Sequence, residues 1–217
     1  RGIVASIAPM MGAIVIAGLS AGQAQAADEC GPDGAGATLI TCTAGNYAGG
    51  GVYPDFPNGI TYSESDGLTL TLNDARITVA DSGVSVTSST TGTGAISVIG
   101  TNVGTITTTA GSAHGLYSNI INTDSTAMAS VLLNDGDVET TGHFVSGLYA
   151  RTVGLGDTLA QMDGGSVTTG GYAASGLYSL IKNELNAATA TALLTNGDVE
   201  TTLGSAYGLY AATIGLG

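Results

Sequence analysis

The chain has 217 residues, of which 43% are apolar and only 10% charged; 35 are glycine, and the formal net charge at pH 7 is −13. A nucleic-acid groove or an anionic membrane surface needs clustered lysine and arginine as partners, and four such residues in all argue against both. The apolar content also argues against a disordered chain, which needs low hydrophobicity and high charge. We therefore expect a folded, acidic protein that does not bind nucleic acid.

Residues 1–26 have the pattern of a secretory signal peptide. Residues 3–19 are almost wholly apolar, and Ala24-Gln25-Ala26 supplies the small-x-small pattern that signal peptidase accepts. Cleavage between Ala26 and Ala27 is therefore predicted, and with it an exported protein. A transmembrane anchor is the alternative, but the apolar core is short and its Gly, Ala and Pro make it weakly hydrophobic.

Residues 27–58 contain both cysteines of the chain, Cys30 and Cys42. In an exported protein two cysteines twelve residues apart most simply form a disulfide. A zinc site would need two more soft ligands, and His114 and His143 lie far along the sequence. We interpret this segment as an N-terminal cap, because the open end of a stacked sheet is otherwise ready to pair with another chain.

Short strands are predicted from residue 59 onward, first irregularly and then as a repeat. Alternating runs rich in β-branched residues lie at 59–62, 68–72, 77–79, 84–86 and 96–99. Gly-Leu-Tyr then begins at residues 115, 147, 176 and 208, and another glycine stands eleven residues before each copy. Successive units are 32, 29 and 32 residues apart, and alternate units agree most closely, at 61. A fixed period of this size predicts stacked structural units.

Each unit contains a polar–apolar alternating run, a glycine-containing turn, Gly-Leu-Tyr and a third apolar run that ends near Asn-Gly or Asp-Gly. Equivalent strands with the same side chains favour parallel stacking in register over an antiparallel meander. Two interior columns follow from this register: Leu116, Leu148, Leu177 and Leu209, and Ile106, Val138, Val167 and Val199. Glycines would occupy corners where no side chain fits.

Two local questions stay open in the sequence. A turn of the stack could be one unit of about 30 residues, or 61 residues could make three turns of about 20. Residues 174–190 have apolar residues at helical spacing. Their equivalents at 113–129 make a poor helix, so we predict a strand followed by a loop, with a short helix as the alternative.

These features resemble the passenger region of Gram-negative autotransporter outer-membrane proteins, which use type V secretion. The resemblance is carried by Asp-Glu-Cys…Thr-Cys-Thr-Ala-Gly at 28–45 and by repeats of Gly-x-Val-x-Thr-Thr-Gly-x-x-x-x-Gly-Leu-Tyr-Ala. It implies an all-β fold, a right-handed parallel β-helix (β-solenoid) over residues 59–217 with the N-terminal disulfide-containing cap. It also implies display at the outer-membrane surface, or release, through a C-terminal translocator β-barrel of the same polypeptide. This chain would then be part of a longer protein.

Candidate catalytic groups are sparse, so we predict no enzyme activity, metal or cofactor. The densest acidic cluster is Asp135, Asp137 and Glu139, and the repeat-equivalent Asp198 and Glu200 indicate a solvated strand face rather than paired catalytic carboxylates. Asp81-Ser82-Gly83 is similar to a serine-protease motif, with His114 or His143 as an imaginable base. A turn between strands is the favoured interpretation.

The predicted function is that of an adhesin or structural stalk on the cell surface or in the extracellular space. Its partner would be a host-surface protein or glycan, and the candidate contact residues are an outward ladder of Tyr117, Tyr149, Tyr178 and Tyr210. A column of tyrosines that only packs against itself is the alternative. A carbohydrate-active enzyme whose catalytic turns lie beyond this fragment is the main alternative. A self-associating surface layer is the other.

Overall fold

A computed structural model of the chain describes residues 30–34, 36, 38–43 and 59–215. The predicted cleavage site at Ala26 and Ala27 and most of the predicted cap lie outside these residues. The described residues form fifteen strands and no helix, and none of them belongs to a helix long and apolar enough to cross a membrane. The strands are β1 (Thr38–Cys42), β2 (Ile60–Ser65), β3 (Leu68–Asn73), β4 (Ile77–Val79), β5 (Val84–Ser88), β6 (Ile96–Thr101), β7 (Thr105–Thr108), β8 (Leu116–Ile120), β9 (Ala129–Leu133), β10 (Asp137–Thr140), β11 (Ser146–Thr152), β12 (Thr158–Thr169), β13 (Ser175–Ile181), β14 (Ala190–Thr201) and β15 (Tyr207–Thr213).

All strand pairs are parallel, and the strands stack as a β-solenoid with three faces. One sheet has the order β15-β13-β11-β8-β5-β2. The other runs β1-β3-β6-β9-β12-β10-β7-β4, with β14 beside β12. The long strands β12 and β14 each cover two faces of a turn, because the first part of β12 pairs with β9 and its last part with β10. The described chain therefore makes about five turns, in which β12 and β14 each replace two separate strands.

The register of these pairs settles the length of a turn. Leu148 pairs with Leu116 and with Leu177, and Val138 pairs with Ile106 and with Val167. The paired positions lie 32 and 29 residues apart, so one unit of about 30 residues is one turn and the 20-residue alternative is wrong. The register of both predicted columns is confirmed, and their members are buried except at the last described turn, where Leu209 is 42% exposed. Residues 174–190 form a strand and then a loop, and the helical alternative is wrong.

The glycines of the first three Gly-Leu-Tyr copies stand beside a corner, at the start of a strand, where the next turn of the stack lies close. A Cβ at Gly147 would overlap Val167 Cγ1 and lie 3.0 Å from the Gly176 carbonyl oxygen, and the same contacts recur at Gly115 and Gly176. Real Cβ atoms do not approach neighbours this closely in packed interiors, so these positions exclude side chains. The predicted role of glycine at the corners is therefore confirmed.

The described part of the predicted cap is tied to the first turn. Cys30 and Cys42 form the predicted disulfide, with their Cα atoms 5.2 Å apart. Strand β1, which ends at Cys42, pairs with β3. The buried Tyr62 hydroxyl donates to the Gly31 carbonyl at 2.9 Å and accepts the Cys30 N–H at 3.3 Å. These contacts hold the disulfide segment against the N-terminal end of the apolar interior.

A column of buried threonines inside the solenoid offers a test of the packing. Thr108 and Thr140 are paired neighbours with no exposed surface. Thr108 Oγ1 donates to the Ala113 carbonyl at 3.2 Å, whereas Thr140 Oγ1 is buried without a hydrogen-bond partner. We expect Thr140→Val to raise the free energy of unfolding by about 1 kcal/mol, because it removes an unpaired buried hydroxyl. Thr108→Val should lower it by about 1 kcal/mol. Denaturant titration of both variants checks this, and equal effects would contradict it.

Candidate functional site

The four predicted tyrosines form one continuous column on the outer side of the β15–β2 sheet. Successive side chains of a strand point to opposite sides of its sheet, so when Leu148 faces the interior Tyr149 faces outward. The parallel register then places each tyrosine on the equivalent tyrosine of the next turn. The column begins at Tyr117, since Ser85 is its partner on β5.

The tyrosine rings stack on one another. Ring centroids of neighbouring turns are 5.0 Å apart for Tyr117–Tyr149, 4.8 Å for Tyr149–Tyr178 and 5.1 Å for Tyr178–Tyr210. The strand spacing of a sheet imposes this distance, which suits offset aromatic stacking. The Tyr117, Tyr149 and Tyr178 rings are stacked, with interplanar angles of 23° and 5°, whereas the Tyr210 ring is tilted by 46° to that of Tyr178. The stacked rings therefore offer mainly edges and hydroxyl groups to an outside partner. Tyr149 is only 9% exposed, and Tyr210, at the last described turn, is 37% exposed.

The electrostatics of the ladder follow from burial. Burial raises the pKa of the Tyr117, Tyr149 and Tyr178 hydroxyls, and the flanking tyrosines raise that of Tyr149 further. Arg151 opposes these shifts. It lies two residues beyond Tyr149 on β11, where its Nη1 donates to Asn119 Oδ1 at 2.9 Å. The phenols therefore stay protonated near pH 7 and act as neutral hydrogen-bonding groups.

His114 packs against the first two tyrosines of the ladder. Its ring centroid lies 5.1 Å from that of Tyr117 and 4.7 Å from that of Tyr149. Its Nδ1 accepts the backbone N–H of Ser146 at 3.0 Å, and burial lowers its pKa to about 4. The imidazole is therefore neutral at pH 7 and serves as a packed acceptor between two turns.

A groove of about 300 Å³ runs beside the ladder, along the corners that precede the first three Gly-Leu-Tyr copies. Ladder residues form one wall, and the turns before β11 and β13 form the other. The lining residues are Ser112, His114, Phe144, Val145, Ser146, Tyr149, Ala173, Ser175 and Tyr178.

Phe144 and Tyr172 form an exposed aromatic pair at this corner. Their rings meet edge to face with centroids 6.1 Å apart, and they are 64% and 50% exposed. The Phe144 N–H donates to the Tyr172 carbonyl at 3.0 Å, and the Tyr172 N–H donates to His143 Nδ1 at 3.0 Å. Backbone hydrogen bonds thus fix the two corners, while both rings face solvent.

The corner position of Phe144 has an unusual backbone. Its φ is +57°, in the left-handed region, and the equivalent positions of the other turns have the same sign. Those positions are Ser112, Ala173 and Ser205, with φ of 63°, 52° and 59°. A bulky side chain is uncommon at positive φ, where local strain is often kept for function. Phe144 is the large residue in a column of small ones.

The structure does not assemble the protease-like residues into a nucleophile and base. Ser82 and His114 are stacked on adjacent turns, but the Ser82 hydroxyl accepts the backbone N–H of His114 at 3.0 Å. The His114 ring is instead held by Ser146 and two tyrosines. His143 lies at an exposed corner, where it accepts the Tyr172 N–H.

The acidic positions lie on an exposed strand face. Asp137 pairs with Ser166, whose hydroxyl donates to the Asp137 carboxylate at 2.6 Å, and Ser166 in turn pairs with Asp198. Serine thus separates the two carboxylates along the stack, and the exposure of Asp137 and Glu139 confirms the predicted solvated strand face. Among the described residues no group of three or more His, Cys, Asp or Glu is placed to hold a metal ion.

Sequence reasoning missed Phe144 and Tyr172. A signal was present, since both stand in turns of small residues directly before Gly-Leu-Tyr. This signal was not used because a single aromatic residue in a turn has no partner until the turns are stacked.

We found no match to this chain among protein-family models, curated proteins or solved structures.

Proposed function

We propose that this chain is a surface-displayed or secreted passenger, of the autotransporter type that its sequence resembles, and acts as a non-catalytic adhesin. The observation that carries the proposal is the aromatic surface on the outer side of the solenoid, where the tyrosine ladder and the Phe144–Tyr172 pair lie together. Exposed aromatic residues are enriched where proteins bind partners. The Cys30–Cys42 disulfide supports an oxidising, exported location.

The exposed Phe144 and Tyr172 rings favour a contact role over a spacer role for this face of the solenoid. Parallel strands rise by roughly 4.8 Å per turn of the stack, so five turns give about 24 Å of axial length. The outer face of these five turns is large enough for a binding surface. We therefore expect a binding role, and a stalk is the alternative interpretation.

Attachment of beads coated with the purified, oxidised full chain tests the proposal. We expect saturable attachment to host cells or extracellular matrix, and competition by soluble chain. Beads coated with albumin are the control. Attachment no stronger than that of albumin would leave the stalk as the better interpretation. Chain-dependent release of products from a panel of polysaccharides would overturn the non-catalytic part.

A further inference from the structure

The groove beside the tyrosine ladder combines apolar ring surface with uncharged polar groups. Phe144 supplies an exposed ring at one side, with Tyr172 in edge-to-face contact with it just outside the lining, and Tyr149 and Tyr178 supply ring edges and hydroxyls at the other side. The described residues that line it include three serines and one histidine, and none is Asp, Glu, Lys or Arg. The lining of this groove is thus uncharged, and Arg151 acts on its tyrosines from outside the lining.

The packing of the solenoid does not account for the aromatic pair. The positions equivalent to Phe144 in the other turns hold serine or alanine and also have a positive φ. A phenylalanine is therefore not needed to form the corner. Its ring is also largely exposed and buries little apolar surface, so the gain does not offset the positive-φ strain. An exposed and strained aromatic residue at the edge of a groove points to a ligand that covers it.

The chemistry of the groove selects among ligand classes. A nucleic acid or an acidic polymer would be repelled by a chain of net charge −13 and finds no cation in the lining. A protein partner usually needs a surface well above the area of this groove. A pyranose ring has one face of C–H groups, which packs on the electron-rich face of an aromatic ring, and hydroxyls that pair with neutral donors and acceptors. Both features are present here.

We infer that the groove between the Phe144–Tyr172 pair and the tyrosine ladder is a binding subsite for a neutral saccharide. The inference rests on the proposed adhesin function and names its partner class. The C–H face of the sugar lies against the exposed Phe144 or Tyr172 ring. Its hydroxyls bond with the tyrosine phenols and with the serine side chains of the lining.

The test is a glycan array probed with the full chain, followed by calorimetric titration with a neutral oligosaccharide identified on it. We expect binding of neutral glycans, and Phe144→Ser should weaken it by about tenfold or more, since the main stacking surface is lost. Serine occupies the equivalent positions 112 and 205, so the corner itself is preserved. Leu185→Ser is the matched control, because Leu185 is also exposed and apolar but lies outside the groove lining, and its affinity should stay within about twofold.

Thermal unfolding separates this role from a structural one. Phe144→Ser should melt no lower than the unaltered chain, because it relieves strain and uncovers no interior. A lower melting temperature with unchanged glycan affinity would assign Phe144 to packing and overturn the inference. Absence of neutral-glycan binding, or binding restricted to acidic glycans, would also overturn it. If the coated beads still attach to enzymatically deglycosylated cells, the saccharide subsite fails while the adhesin proposal stands.

Discussion

Gly147→Ala is expected to lower the free energy of unfolding by about 3 kcal/mol, the upper end of the usual cost of overpacking. The new Cβ would overlap Val167 Cγ1 on one side and press on the Gly176 carbonyl oxygen on the other. Neither neighbour can yield easily, since Val167 is fully buried and the Gly176 carbonyl belongs to the adjacent strand of the sheet. Relief would require neighbouring turns to separate locally, which weakens the parallel pairing between them.

Gly208→Ala provides the matched control for this prediction. Gly208 belongs to the same Gly-Leu-Tyr motif, but the nearest atom to its added Cβ would be Val199 Cγ1 at 3.9 Å, an ordinary contact. Its effect should stay within about 0.5 kcal/mol. Guanidinium denaturation of both variants, followed by circular dichroism at a β-sheet wavelength, measures the difference. Equal destabilisation would show that glycine is needed for its backbone freedom and not for the close approach of turns.

Stability should fall as the pH is lowered from about 6.5 towards 4, because of His114. Its pKa is about 4 in the folded chain and 6.5 in the unfolded reference, so the unfolded state binds the proton more readily in this window. The contribution of the neutral imidazole is complete above pH 6.5 and decreases by about 1.4 kcal/mol for each pH unit below it. Across the window the loss is about 3 kcal/mol. Protonation also removes the acceptor for the Ser146 N–H.

The variant His114→Ser separates the contribution of His114 to the pH dependence of stability from that of the carboxylates. Serine stands at the equivalent positions 82, 146 and 175, so the substitution suits the corner. Denaturant unfolding of both proteins at several values between pH 7 and pH 4.5 should show a steeper loss for the unaltered chain. If the free energy of unfolding of the two proteins fell in parallel with pH, the pKa of His114 would be the same in the folded and unfolded states. Its packing between Tyr117 and Tyr149 would then make no pH-dependent contribution to stability.

The repeat made much of the fold predictable. The 61-residue identity and the recurring Gly-Leu-Tyr indicated a parallel, in-register stack, because like residues recur at a fixed offset only when equivalent strands lie side by side. The interior columns through Leu148 and Val138 followed directly, as did the disulfide. The length of a turn did not follow, because an offset between equal residues does not say how often the chain turns between them.

The helix-like spacing in 174–190 shows a different limit. Local periodicity favoured a helix there, but pairing of β13 with β11 and β15 provides backbone hydrogen bonds on both sides and overrides the local preference. Comparison with residues 113–129 was a better guide than the segment itself. Within the described residues the tertiary pairing decided the conformation.

The candidate site was predictable only in its tyrosines. Sequence alone placed Tyr117, Tyr149, Tyr178 and Tyr210 in one outward column, since strand alternation and register fix their side. Tertiary structure decided that the rings cover one another's faces, that His114 is packed among them, and that Phe144 and Tyr172 meet at the neighbouring corner. The physical reason is that register is a property of the repeat, whereas exposure, ring contacts and backbone strain depend on residues from different turns that meet only after stacking.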